Sequence, residues 1–235
     1  MKKSHIATLI VFLVLIPLTL ILGSRLSGRA FYVTSTLVIV ELLIPFFLAF
    51  EGRRPQAREL VVLAVMCALA VAGRVAIPIP SFKAIFGIIM IAGIAFGPES
   101  GFLVGAISAL ASNFFYSQGP YTPWQMMAYG AGGMLAGFVF ARGRLPRKPV
   151  ITGIFGFLAV TFFVGPLLDT CSVFLVMSRI TLKGAMAFYI SGFPVNLRQA
   201  VATAIVLLVL GNPLLEKLDR IKTKYGILDD GGKEA

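Results

Sequence analysis

Eight apolar runs dominate the chain, at about residues 6–22, 31–50, 58–77, 84–97, 99–115, 124–141, 150–177 and 187–211. Roughly 20 residues cross a bilayer as a helix, and a helix is favoured there because lipid offers the backbone no hydrogen-bond partners. The runs therefore predict an all-α fold, a polytopic transmembrane helical bundle. Composition agrees: 58% of residues are hydrophobic, 13% are charged, and mean hydropathy is +0.92. Soluble domains carry about 25% charged residues. With 235 residues, no soluble catalytic or nucleotide-binding domain fits beside these spans. The fourth run is short, so it is either tilted or continued through Gly97-Pro98 into the fifth as a broken hairpin. The first run reads as a retained helix. It exceeds the roughly 7–15 apolar residues of a secretory signal, and Gly23-Ser24-Arg25 makes a poor cleavage site.

The net charge of +11 fits a membrane protein whose cytoplasmic loops collect Lys and Arg. With the N-terminus inside, 14 of the 21 Lys and Arg fall in inner segments and 5 in outer ones, while Arg74 and Arg198 lie within spans. That bias predicts that both termini are cytoplasmic. Composition changes at Glu51 to Arg58, from plain apolar helices to a Gly- and Ala-rich bundle. Residues 1–50 read as an accessory transmembrane hairpin, 57–217 as a six-helix working core, and 218–235 as a cytoplasmic basic tail. Asn212 to Tyr225 reads as an amphipathic basic helix leaving the last span, with a solvated or interfacial face.

A charge near the bilayer centre costs about 2.5–3.5 kcal/mol on insertion scales, so such residues tend to face a partner, a cavity or water. Arg74, Asn113, Asp169, Asn196 and Arg198 all fall in the outer half of the bundle, and separate helices supply them. Pro194 is expected to start or kink the last helix, and Gly165-Pro166 to kink the seventh. Two readings stay open: an outward-facing ligand pocket, or interhelical salt bridges such as Asp169 with Arg198 or Arg74. Glu41, mid-span in the hairpin, has no evident partner in the sequence and is expected simply to bond to a neighbouring helix. The uncharged loop from Asn113 to the single Trp124 includes Tyr116 and Tyr121. It reads either as an interfacial aromatic belt or as a lid whose rings stack on a planar ligand. A second loop, Pro78 to Lys83, offers the Lys83 ammonium to an anionic group.

Small residues recur at four-residue steps. Ala64, Ala68 and Ala72 form one stripe, Gly97, Gly101 and Gly105 another, and Gly133 with Gly137 a third. Such stripes let backbones approach closely, either inside the bundle or against an external partner. Cys67 and Cys171 carry no disulfide or metal spacing. No P-loop, no G-x-S-x-G and no His pair is present, and His5 is the single histidine. These absences argue against an enzyme, a resident metal or cofactor, and an ATP-driven pump in one chain. No repeated broken-helix pattern of a secondary transporter is visible. A structural or scaffolding membrane protein and a self-sufficient secondary carrier remain as rivals.

Three features carry a family resemblance: the six core helices, the Ala64-x-x-x-Ala68-x-x-x-Ala72 stripe, and the glycine-rich run from Ala92 to Gly105. On them, residues 57–217 resemble the substrate-binding S component of an energy-coupling factor (ECF) vitamin transporter. The segment Asn113-Phe114-Phe115 through Pro123-Trp124-Gln125 also looks like cobalamin-specific members. The resemblance implies capture of a vitamin outside and docking on a membrane scaffold subunit driven by two ATPase subunits. It implies a toppling of the whole S component that turns its pocket inward. It makes Ala64, Ala68 and Ala72 coupling residues. It makes Arg74, Lys83, Asn113, Tyr116, Tyr121, Trp124, Asp169, Asn196 and Arg198 candidate ligand-binding residues. Cobalamin suits this set, and a flavin or a deazapurine suits it nearly as well. The hairpin 1–50 is a departure from a minimal six-helix S component.

Overall fold

The computed structural model describes residues 14–15, 18–19, 30–52, 56–140, 143–177 and 179–226. Most of the predicted first span, the cations Arg53, Arg54 and Arg142, and the tail beyond Gly226 lie outside the described residues. Within them the fold is all-helical. The elements are α1 (Ala30–Gly52), α2 (Ala57–Val75), α3 (Ile85–Phe96), α4 (Pro98–Tyr116), α5 (Thr122–Phe140), α6 (Pro149–Ala159), a π-helical turn (Val160–Val164), α7 (Gly165–Val176) and α8 (Leu182–Tyr225). The segments α6, π turn and α7 form one continuous rod, so α2 to α8 make six rods.

Outward faces of these rods are apolar. On α6 and the π turn, Val150, Ile154, Leu158 and Phe162 follow one another at four-residue steps, and all are exposed. On α8, Met186, Ile190, Phe193, Leu197 and Val201 recur at steps of three and four, and all are exposed. A water-facing helix would carry polar residues there; a lipid-facing helix carries these. The rods Pro149–Val176 and Leu182–Tyr225 are each long and apolar enough to cross a membrane.

The centre is built on α3. All twelve of its residues are buried, as an apolar run with no polar face requires. Glycine lets its neighbours come close. A Cβ on Gly93 of α3 would stand 2.1 Å from the Gly133 carbonyl oxygen of α5. One on Gly101 of α4 would stand 2.5 Å from that same oxygen, and one on Gly105 2.4 Å from the Tyr129 carbonyl oxygen. The helices α3, α4 and α5 therefore meet backbone to backbone, and these glycines are internal packing. Gly97 has another role. At φ +92° it reverses the chain between α3 and α4, and Pro98 then opens α4. The short fourth span is thus one arm of a broken hairpin, the second of its two sequence readings.

Several expectations change or take a definite form. The last helix does not start at Pro194: it begins at Leu182, capped by the Thr181 side chain, and runs 44 residues through Pro194 and Pro213. Membrane helices tolerate proline when their surroundings satisfy the freed backbone groups. The irregularity expected at Gly165-Pro166 shows as the π turn that ends against Gly165. The segment from Asn212 to Tyr225 is the expected amphipathic helix, with Glu216, Lys217, Arg220 and Lys224 exposed. It continues α8, and Leu215 and Leu218 are buried in the main core. Lys222 donates to the Ala95 carbonyl at 2.7 Å, closing the C-terminal end of α3. Glu41 on α1 accepts from the Thr19 hydroxyl at 2.5 Å, in keeping with the expected bond to a neighbouring segment. Helix α1 packs through Leu43 and Phe47 against Phe102 and Ala106 of α4, and through Ile39 against Trp124 and Cys171.

Candidate functional site

Polar side chains gather at one end of the bundle, where α2 and α4 finish and α5 and α8 begin. The Arg74 guanidinium, one residue from the end of α2, donates through Nη1 to Ser112 Oγ and to Asn113 Oδ1, the latter at 2.9 Å. It also lies over two rings, 4.8 Å from the centroid of Tyr116 and 5.7 Å from that of Tyr129. The Tyr116 hydroxyl returns a bond to the Arg74 carbonyl at 3.0 Å. Two hydrogen bonds and two ring faces offset the desolvation of a charge that is half-buried.

Asn113, 1% exposed, ties this group to α5. Its Nδ2 donates to Thr122 Oγ1 at 3.1 Å and to Gln125 Oε1 at 2.8 Å. Thr122 also accepts from the Gly119 backbone at 3.2 Å and donates to Gln118 Oε1 at 2.9 Å. The loop between α4 and α5 is thereby knotted around one hydroxyl. Its aromatic residues divide. Phe114 and Phe115 point outward, 77% and 67% exposed, as an interfacial belt does. Tyr116, still 44% exposed, lies over Arg74. Tyr121 donates to the Ser117 carbonyl at 2.8 Å. Trp124 is buried against Phe174, with ring centroids 5.4 Å apart, and its indole N–H has no partner among the described residues. The rings of Tyr121 and Trp124 are engaged within the protein.

A second polar group joins α7 to α8. Asn196 Nδ2 donates to Asp169 Oδ2 at 2.7 Å. Two glycines make room for it. A Cβ on Gly192 would stand 2.1 Å from Asp169 Oδ1, and one on Gly165 2.5 Å from Asn196 Cγ. The Thr170 hydroxyl and Tyr189 hydroxyl pair at 2.8 Å nearby. Neither ion pair considered for Asp169 forms: Arg74 is occupied on α4, and Asn196 takes the carboxylate. The two groups approach each other at Lys83. Its backbone N–H donates to Gln199 Oε1 of α8 at 3.3 Å, its ammonium donates to the Ile77 carbonyl, and the ammonium sits 6.0 Å from the Tyr116 centroid.

Arg198 is exposed and makes no ion pair with any described carboxylate. Its place on α8 is informative. Residues four apart share a helix face. Ala202, one turn further along from Arg198, is 1% exposed, and Val206, another turn on, packs against Gly87 of α3. The face that closes on α3 below is open at Arg198. Helix α3 is only 12 residues, about 18 Å, and it does not reach that level.

Of the sequence candidates, the structure joins Arg74, Asn113 and Tyr116 directly, and Asp169 with Asn196. It sets Lys83 between the groups and leaves Arg198 open. Sequence reading missed Ser112, Thr122, Gln125, Tyr129 and Gln199. A signal existed for three of these: Thr122, Gln125 and Tyr129 recur at steps of three and four, a polar stripe on one face of α5.

The alanine stripe has a different setting. Ala64, Ala68 and Ala72 are all exposed. With Leu60, Leu63, Val71 and Val75 of α2, and Leu103, Ile107, Ala111 and Phe115 of α4, they line an apolar groove of about 620 Å³. The groove lies on the outer face of the bundle, apart from the polar groups.

Comparison with known proteins adds one match. Residues 55–216 match the family model described as ECF-type riboflavin transporter, S component. No curated protein and no solved structure matches the chain.

Proposed function

Because the chain belongs to the ECF-type riboflavin transporter S-component family, and is thus a membrane substrate-binding subunit rather than an enzyme, we propose that its vitamin is riboflavin. Membership also implies a membrane scaffold subunit and ATPase subunits as its partners. The family match over 55–216 is the observation that carries the reading.

The ligand sits at the end of the bundle above α3, between the Arg74–Asn113 group and the Asp169–Asn196 pair. A flavin has a planar tricycle, a polar edge of alternating donors and acceptors, and a hydroxylated chain. Amides both donate and accept, so Asn196 and Gln199 suit the polar edge. Arg198 and Lys83 suit its carbonyl oxygens, and the open face of α8 gives the tricycle an apolar wall at Val195. Arg74, Asn113, Tyr121 and Trp124 act by holding the rim. Cobalamin, expected from the segment 113–125, is disfavoured because Asn113, Tyr121 and Trp124 of that segment are engaged within the protein. The 14-to-5 distribution of cations supports a multi-pass chain with both termini cytoplasmic and the site facing outward. Ala64, Ala68 and Ala72, exposed along the apolar groove, serve as the docking surface for the scaffold.

The test is a titration of the detergent-purified chain. Trp124 is the single tryptophan, so its emission reports on the protein alone. Saturable one-site quenching by riboflavin, with no response to cobalamin, is expected. Saturation by cobalamin instead would overturn the ligand. Silence toward every vitamin, from folded protein, would overturn the site.

A further inference from the structure

At the opposite end of the bundle the cations are unevenly employed. Arg147 pairs with Asp219 at 3.2 Å. Lys222 holds the Ala95 carbonyl and lies over Phe96. Arg58 and Lys224 are different. Both are exposed, and neither pairs with a described carboxylate. Instead they share one aromatic ring. The Arg58 guanidinium is 5.8 Å and the Lys224 ammonium 5.4 Å from the centroid of Tyr225, the last residue of α8, itself exposed. The neighbouring carboxylate of Glu59 is turned inward, 4% exposed, toward Ser100.

Two exposed cations on one ring concentrate positive charge there, and no described carboxylate pairs with either. A carboxylate brought beside them would balance it. The location narrows where that carboxylate comes from. Arg58 lies two residues before Leu60, where the apolar groove along Ala64, Ala68 and Ala72 ends. A helix seated in that groove needs about one further turn, 5.4 Å, to reach the ring.

We propose that the docking face of α2 extends past the alanines into an Arg58–Tyr225–Lys224 clamp, and that the clamp takes a carboxylate of the scaffold subunit. This rests on the reading of the alanine groove as the docking face. The complementary scaffold segment is a helix with a small or apolar face, carrying Asp or Glu within a turn or two of its end. The planar fork of Arg58 suits two carboxylate oxygens, and Lys224 adds a point charge.

The experiment measures association of the full chain with its scaffold–ATPase assembly. It compares wild type, Ala68→Trp, and the double variant Arg58→Glu with Lys224→Glu. Riboflavin binding by each variant checks that it is folded. The double variant is expected to associate at least about tenfold more weakly, as removal of a charge-assisted hydrogen bond would produce. Association of wild type should fall with added salt, and that of the double variant should not. Lys placed at the matching acidic position of the scaffold should restore it. If Ala68→Trp abolishes association while the double variant associates like wild type, the clamp is wrong and the docking face stands. If Ala68→Trp associates normally, the docking face itself fails, and the clamp with it. A loss seen only in vesicles of anionic lipid, and absent in neutral ones, would assign the clamp to headgroups and overturn the scaffold carboxylate.

Discussion

Two stripes of small residues, written in nearly the same way, have opposite settings. Gly101 and Gly105 of α4 face Gly133 and Tyr129 of α5, where an added Cβ would stand 2.5 Å and 2.4 Å from backbone oxygens. Ala64, Ala68 and Ala72 of α2 are exposed and, with side chains of α4, line an open groove. The first stripe lets the bundle close on itself. The second leaves a shallow face that a partner helix can approach. Small residues at four-residue steps therefore say that something comes close, without saying what. Glycine rather than alanine is itself informative: an approach at backbone distance excludes even a methyl group, whereas an exposed docking face tolerates one.

Substitutions separate the two stripes. The largest effect is expected from Gly101→Leu or Gly133→Leu. Overpacking typically costs about 1–3 kcal/mol, and more where the obstacle is backbone. Loss of monodisperse protein in size-exclusion chromatography is the expected readout. A variant that folds with normal thermal stability would show that the bundle does not depend on this close approach.

Ala68→Trp should do the reverse. Being exposed, it should change stability by no more than about 0.5 kcal/mol, leave riboflavin binding intact, and abolish uptake in cells that supply the scaffold and ATPases. Binding lost together with uptake would return the alanine stripe to internal packing.

A smaller effect is expected at Gly192, whose missing side chain makes room for Asp169. Gly192→Ala should push the carboxylate off Asn196 and weaken riboflavin about tenfold, or about 1.4 kcal/mol, in the Trp124 titration. Unchanged affinity would show that the α7–α8 pair holds the helices together and does not touch ligand.

Thr122→Val should remove the hydroxyl at the centre of the loop knot. A loss of about 0.5–1.5 kcal/mol in thermal unfolding is expected, with a faster riboflavin off-rate if the knot holds the rim. Phe114→Ser, on an outward ring, should move stability and affinity least, within about 0.5 kcal/mol. A larger drop in affinity there would revive the ring as a lid.

Much of the candidate site was legible one helix at a time. A charge or amide within an apolar run stands out, so Arg74, Asn113, Asp169, Asn196 and Arg198 could be picked from the sequence. Their partners could not. Asp169 meets Asn196 rather than an arginine because Gly192 and Gly165 bring those two helices close at that level, and no local pattern encodes which helix lies opposite. Trp124 stood out as a stacking residue, yet it is buried against Phe174, because α5 and α7 converge there.

What the sequence determined by itself follows from short-range physics. Apolar length dictated helices, because lipid satisfies no backbone groups. The distribution of lysine and arginine predicts an orientation, and Gly97-Pro98 marked a reversal because few residues adopt φ +92°. What only the tertiary structure decided concerns surfaces that meet across long separations. It continued α8 through two prolines, because the packed neighbours of Leu215 and Leu218 hold its last turns in place. It turned the glycines inward and the alanines outward, because which face of a helix is covered depends on the other helices, and those lie elsewhere in the chain.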